Sequence, residues 1–328
     1  MSRILEPGER FPDFILPETS GQPAHLYARV GGRPVLMLLS RDPETDIDAL
    51  ASQFSTGCDV VSVSSRPLES AAHAFIDDRG TILDQHLGGL SRVSYVLDAN
   101  LRVLKSMTEA EPADRIAEML RSVNECPSRD IRHQAPVLTV EGVLEPDRCL
   151  FLMQLWEKGG SVETGVEQST VRGRTEVLSV SHKARRDHTV KDAKLTHLLT
   201  QSIGKRLLPE IERAFIYRPS RFEGFKIACY DAESSGFFDT HRDNLSRNTA
   251  HRRLAVSLNL NEGYSGGELR FPEFGPDRYC PGAGSALIFS CAHLHEVLPV
   301  TVGKRFTLLT FLYDETAKRQ NVVDPFAV

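Results

Sequence analysis

In the last third of the chain, His241-Arg242-Asp243 is followed by the run His295-Glu-Val-Leu-Pro-Val-Thr-Val-Gly-Lys-Arg305, and this pairing constrains the fold more than any other feature. If Gly236 to Thr240 enters His241 as an extended segment, positions i and i+2 share a face, so His241 and Asp243 can grip one ion while Arg242 points away. A lone His-x-Asp occurs in many chains as a surface loop, and His295 is what changes that reading. It sits among runs that read as strands: Ala286 to Ser290, His295 to Val300 and Phe306 to Leu312, with Gly303 marking a tight turn between the last two.

Two imidazoles and one carboxylate leave the remaining positions of a metal open, the arrangement that non-haem Fe(II) oxygenases use to bind a co-substrate and dioxygen together. The far end of an anionic co-substrate then needs a cation about one small molecule's length away. Read as a hairpin, the last two strands put Arg305 roughly four residues diagonally from the point opposite His295, or about 13 Å at ~3.4 Å per residue. A dicarboxylate plus an arginine side chain spans such a gap, and the planar guanidinium meets a carboxylate bidentately. Both residues face inward only if the turn holds an odd number of residues, such as Thr301-Val302-Gly303.

Further blocks accompany these residues: Phe225-Lys-Ile-Ala-Cys-Tyr230, Leu254-Ala-Val-Ser-Leu-Asn259 and Gly266-Gly-Glu-Leu-Arg-Phe-Pro272. Upstream lie Pro136-Val-Leu-Thr-Val140 and Leu144-Glu-Pro-Asp-Arg-Cys-Leu150. Together they make the segment from about Gln134 to Tyr313 resemble the 2-oxoglutarate- and Fe(II)-dependent oxygenases of the prolyl 4-hydroxylase type. The resemblance implies a double-stranded β-helix, a jelly-roll or cupin-like core with flanking helices, over residues 134–328. It implies Fe(II) held by His241, Asp243 and His295, with 2-oxoglutarate and dioxygen as co-substrates, and it admits ascorbate as a further cofactor. Arg305, Tyr230 and Thr307 are the implied contacts to 2-oxoglutarate. Related halogenases carry a small residue at the Asp243 corner, so the carboxylate argues for hydroxylation of an unactivated C–H bond.

Alternatives stand beside these assignments. Tyr230 is either a co-substrate contact or a strand aromatic with its hydroxyl at the surface. His293 competes with His295 within His-Leu-His, and both the hairpin register and the family register favour His295. Asn244 to Ala250 is a polar stretch suited to a substrate lid, and Arg252 or Arg253 after it reads as a structural arginine at a strand entry. Thr307 is either a second contact to the carboxylate or an ordinary strand former.

The first part of the chain is a different object. Phe11 to Pro17, Arg33 to Ser40, Val60 to Val63 and Ser94 to Asp98 read as short strands. They alternate with the helix-like stretches Ile47 to Phe54, Glu69 to Asp77 and Ala113 to Asn124, which argues an α/β domain. Gly8-Glu-Arg-Phe-Pro-Asp-Phe-x-Leu and Arg92-Val-Ser-Tyr-Val-Leu-Asp98 resemble the peroxiredoxin branch of the thioredoxin-like fold over residues 1–126. That branch carries its peroxide-attacking cysteine where this chain reads Ser40-Arg-Asp-Pro-Glu-Thr-Asp-Ile-Asp48, and Cys58 comes too late for the role. The expectation is a redox-inactive thioredoxin-like module used for docking, dimerisation or substrate presentation, joined by the linker Cys126 to Pro136.

A net charge of -5 leaves no polyanion-binding footprint, and basic clusters such as His182-Lys-Ala-Arg-Arg-Asp-His188 read as solvated loops. Six cysteines lack disulfide or zinc spacing, and nothing reads as a signal peptide or membrane span. The expectations are therefore a cytoplasmic enzyme with no nucleic-acid or membrane partner, admitting a homodimer and acting on a prolyl, peptidyl or amino-acid-type substrate. A hydroxylase of a small natural-product intermediate, or an oxygen-sensing interaction protein, is the alternative.

Overall fold

Apolar runs set the strands of both units into which the chain divides, Met1–Arg129 and Asp130–Val328. The computed structural model describes residues 3–41, 54, 58–66, 73–109, 111–121, 130–163, 166–170, 173–177 and 183–316.

In the first unit, β1 (Ile15–Pro17) and β2 (Pro23–His25) pair ahead of the short helix α1 (Leu26–Arg29). Then come β3 (Val35–Ser40), β4 (Asp59–Ser64), β5 (His73–Ile76), α2 (Thr81–His86), β6 (Arg92–Leu97), β7 (Val103–Met107) and α3 (Ala113–Arg121). The sheet order is β5-β4-β3-β6-β7, with β3–β4 and β4–β5 parallel and β3–β6 and β6–β7 antiparallel. Strand β3 is buried along its whole length; a strand covered on both faces needs no polar alternation, and its run Val-Leu-Met-Leu-Leu has none. Met37 and Leu39 pack with Phe11, Phe75 and Tyr95, while Leu36 and Leu38 pack with Ile116 and Leu120 of α3.

Two expectations for this unit are corrected. The strand foreseen from Phe11 forms only over Ile15–Pro17, because the Phe11 and Phe14 rings turn into the core instead. The helix foreseen over Glu69 to Asp77 gives way at His73–Ile76 to β5, whose Ala74 and Phe75 are buried beside β4. Residues 67–72 lie outside the described residues, as does the helical stretch expected before Phe54 and the end of the one expected after Arg121.

The second unit runs β8 (Leu138–Val140), α4 (Pro146–Gly159), β9 (Val162–Glu163), β10 (Val166–Thr170), β11 (Gly173–Val177), β12 (Lys183–Ala184), β13 (Arg186–Thr189) and α5 (Ala193–Phe215). It continues with β14 (Arg221–Phe222), β15 (Lys226–Asp231), β16 (Phe237–His241), β17 (Leu254–Asn259), β18 (Ser265–Gly266), β19 (Leu269–Arg270) and β20 (Arg278–Tyr279). It closes with β21 (Ala286–Ser290), β22 (His295–Val297), β23 (Val300–Val302) and β24 (Lys304–Tyr313). Asp192 starts α5 by accepting a hydrogen bond from the Leu195 amide at 2.7 Å.

The larger sheet has the order β8-β21-β17-β24-β15-β13-β9, and the smaller one β12-β16-β22-β19-β20. From β15 onward the chain passes alternately between them, the winding of a double-stranded β-helix. Strand alternation sorts the side chains. Ile227, Cys229, Phe306 and Leu308 pack on Leu199, Ile203 and Leu207 of α5, whereas Ala228, Tyr230, Leu309 and Phe311 face inward toward Leu269 and Val297. Gly236 makes the crossing from β15 to β16 at a range no side chain allows: a Cβ there would lie 2.5 Å from the Asp231 nitrogen.

The hairpin reading of His295 and Arg305 is corrected. Pro299, which cannot donate to a ladder, divides the expected strand: β22 pairs with β16 and β19, β23 with β18, and β24 with β15 and β17. Gly303 does join β23 to β24, with φ 71°. Yet His295 and Arg305 belong to opposite sheets, so the parity of the turn does not decide which way they face.

Candidate metal centre

Strand β16 ends at His241, which is the cross-strand partner of His295 on β22. Asp243 follows just beyond the strand, where its amide donates to the Cys291 carbonyl at 3.0 Å. Its two carboxylate oxygens lie 3.6 Å from His241 Nε2 and 3.4 Å from His295 Nε2. One ligand atom from each residue falls within 4.8 Å of the others.

The imidazoles are oriented by backbone. His241 Nδ1 donates to the Asp239 carbonyl at 2.7 Å and His295 Nδ1 to the His293 carbonyl at 3.0 Å. A carbonyl can only accept, so each Nδ1 carries a proton and each Nε2 is turned toward the cluster. Burial pushes the His295 imidazole down to about 4, against the pull of Asp243, so it is neutral near pH 7. Burial alone would raise the Asp243 carboxyl, but His295 and His241 outweigh it and hold the group well below the usual range. A neutral His295 imidazole and an ionised Asp243 are the protonation states a divalent metal requires of those two groups. Phe238 stacks on His241 with ring centres 3.7 Å apart, and Phe289 packs against His295.

Arg242 points away, paired with Glu273 at 2.8 Å. His293 also lies outside the cluster, its ring packed against Phe274. Tyr230 is buried, and its hydroxyl accepts from Arg185 at 3.1 Å. Arg305 is 1% exposed and lies directly across from Tyr230 on β24, with Thr307 two residues on along the same inward face. Among the described residues no carboxylate pairs with Arg305, and the buried Thr307 hydroxyl has no hydrogen-bond partner. A cavity of about 530 Å³ joins His241, Asp243 and His295 to Tyr230 and Arg305. The structure thus brings the three candidate ligands, Tyr230 and Arg305 to one space, which Thr307 does not line.

The expectation of a solvated loop at the basic cluster is corrected. Lys183, Arg185 and Asp187 are not on a solvated loop: Lys183 and Asp187 are buried, and Arg185 meets Asp187 at 2.7 Å beside Tyr230 and Phe238. The signal was the i, i+2, i+4 spacing of Lys-x-Arg-x-Asp, which puts all three on one face of an extended segment. Arg252 is bonded to Glu223 at 2.7 Å and to the Asp243 carbonyl at 3.2 Å while lying over Phe311.

Comparison with known proteins places this geometry in a class. Residues 225–313 match the family described as the 2OG-Fe(II) oxygenase superfamily, so the second unit carries a 2OG-Fe(II) oxygenase domain. Within that class the chain is similar to a PKHD-type hydroxylase of Synechococcus sp. (strain JA-2-3B'a(2-13)), 27% identical over 126 residues that cover 35% of this chain and 55% of the relative. A PKHD-type hydroxylase of Pseudomonas fluorescens is 30% identical over 138 residues, covering 38% of this chain and 59% of that protein. The chain therefore spans little more than half the length of these curated relatives. Among solved structures, a prolyl hydroxylase from Trichoplax adhaerens, in complex with a hypoxia inducible factor peptide, aligns with TM-score 0.45 and 17% identity over 58% of this chain and 89% of that one.

Proposed function

We propose that the chain is an Fe(II)- and 2-oxoglutarate-dependent dioxygenase that hydroxylates an unactivated C–H bond of a prolyl, peptidyl or amino-acid-type substrate. One observation carries this reading: two imidazoles and a carboxylate, with their ligand atoms gathered at one point, share a cavity with a buried guanidinium that no carboxylate pairs among the described residues. A buried charge is costly until it meets its opposite. The carboxylate of Asp243, a metal dication, a 2-oxo diacid dianion and the Arg305 guanidinium sum to zero, so these residues suit the metal and the co-substrate together.

His241, Asp243 and His295 would hold the iron. Arg305 would grip the far carboxylate of 2-oxoglutarate, and Thr307 would offer its hydroxyl, otherwise without a partner, to the same group. Tyr230, held by Arg185, fixes the wall between them, and Phe238 and Phe289 keep water from the imidazoles. The bound iron, with 2-oxoglutarate and dioxygen, supplies the oxidising chemistry. The PKHD-type hydroxylase names of similar proteins support hydroxylation as the reaction.

For the first unit we infer a thioredoxin-like module without redox activity, serving docking, dimerisation or substrate presentation. Its mixed sheet order supports the fold. The absence of cysteine from Ser40 to Asp48, and burial that raises the Cys58 thiol, support the loss of peroxide chemistry.

The test is anaerobic incubation with Fe(II), 2-oxoglutarate and candidate peptides or amino acids, followed by air and mass spectrometry. One candidate should gain one oxygen atom while succinate accumulates. Absence of succinate under every condition would overturn the reading.

A further inference from the structure

We propose that Asn259 is a positioning residue for 2-oxoglutarate binding: its amide oxygen occupies the Nε edge of Arg305 and so aims the two terminal nitrogens of the guanidinium into the cavity. This rests on reading Arg305 as the anchor of the distal carboxylate. Asn259, at the end of β17, is 1% exposed, and its Oδ1 lies 3.4 Å from Arg305 Nε. A guanidinium can take a carboxylate side-on, through Nε and one terminal nitrogen, or end-on, through both terminal nitrogens. With Nε engaged by Asn259, the end-on fork is the one left for a ligand.

The orientation of the amide is determined by its surroundings. Nδ2 donates to the carbonyls of Asn261 at 2.9 Å and Pro281 at 3.0 Å. A flipped amide would set an oxygen against two carbonyl oxygens and an N–H against the Arg305 Nε–H, leaving all three partner groups without a match. Tyr264 holds the oxygen from another side, donating its hydroxyl at 3.1 Å. Burial pushes the Tyr264 phenol up to about 12, so it keeps the proton it donates. Gly267 leaves room for the arginine stem: with φ +72°, a Cβ there would meet Arg305 Cδ at 3.0 Å and Val300 Cγ2 at 2.7 Å.

The test measures binding by calorimetry to protein loaded with Mn(II), comparing 2-oxoglutarate with 2-oxobutanoate, which keeps the 2-oxo acid but lacks the distal carboxylate. Asn259→Ala should weaken 2-oxoglutarate about tenfold or more, the scale of a hydrogen bond to a charged group, with 2-oxobutanoate and Mn(II) changed less than about twofold. Equal weakening of both acids would mean a general structural effect and would overturn the proposal, as would no weakening of either. Should Asn259→Ala not fold, Asn259→Asp carries the same test. It keeps the side chain's size but supplies Arg305 with an internal carboxylate, so 2-oxoglutarate alone should lose affinity. Arg305→Ala in the same assay separates the two readings: if it leaves 2-oxoglutarate binding intact, the anchor itself is wrong, whereas an effect of Arg305→Ala without one of Asn259 removes only the present inference.

Discussion

Arg305 and Tyr230 are cross-strand partners on β24 and β15, with the guanidinium carbon 5.7 Å from the centre of the phenol ring. The aromatic face steadies the cation without neutralising it, which leaves its charge for a ligand. Arg305→Ala should therefore raise the 2-oxoglutarate concentration needed for half-maximal turnover about thirtyfold or more, the cost of a lost buried charge pair. Metal affinity should stay close to wild type. Initial rates of succinate formation against 2-oxoglutarate concentration check this.

Metal binding should distinguish neighbouring histidines. His241→Ala and His295→Ala should each weaken Mn(II) binding by more than about a hundredfold, beyond the range typical of losing an outer-shell partner. His293→Ala should weaken it far less, because only its backbone carbonyl supports the site. Electron paramagnetic resonance of free Mn(II) during titration reads all three.

Gly236→Ala should destabilise the second unit. Its methyl would fall 2.7 Å from Tyr230 Cα and 2.5 Å from the Asp231 nitrogen, so backbone must move, at a cost of about 1–3 kcal/mol. Denaturant midpoints of wild type and variant, compared at equal slope, measure it.

Acid should weaken the first unit through His86. The ring is buried against Phe11, neither nitrogen has a hydrogen-bond partner among the described residues, and burial lowers its pKa. The unfolded chain takes up this proton more readily than the folded one. The unit should thus keep its full stability above the ordinary histidine range and lose it as pH falls through that range toward the lowered native value. His86→Leu should flatten this part of the profile, as read by thermal unfolding across pH.

How much of this could be read from residues alone depended on distance along the chain. His241 and Asp243 are two apart, so their shared task is a local matter of strand period, and His295 stands out by its place in the strand run that leads to Arg305. The larger error came from pairing: Phe306 to Leu312 was matched with its nearest strand, whereas β24 lies between β15 and β17. A proline at 299 marked the break, but where the two halves went depends on contacts remote in sequence. Asn259 escaped notice for the same reason, since it meets Arg305 from 46 residues away. Arg185 escaped because its charge suggested solvent, whereas the buried Asp187 and the Tyr230 hydroxyl offset the cost of its burial.

The candidate metal ligands stand on or beside strands of the smaller sheet, and Arg305 stands on the larger. Facing sheets hold a separation of about 10 Å because packed side chains set it, so the two grips on a diacid form a rigid caliper. If these are the two grips on 2-oxoglutarate, oxaloacetate, one carbon shorter, should bind less tightly, as should 2-oxoadipate, one carbon longer. Selection by length would then be a property of core packing, altered by enlarging or trimming Leu269 or Val297 between the jaws and untouched by changes to any surface loop.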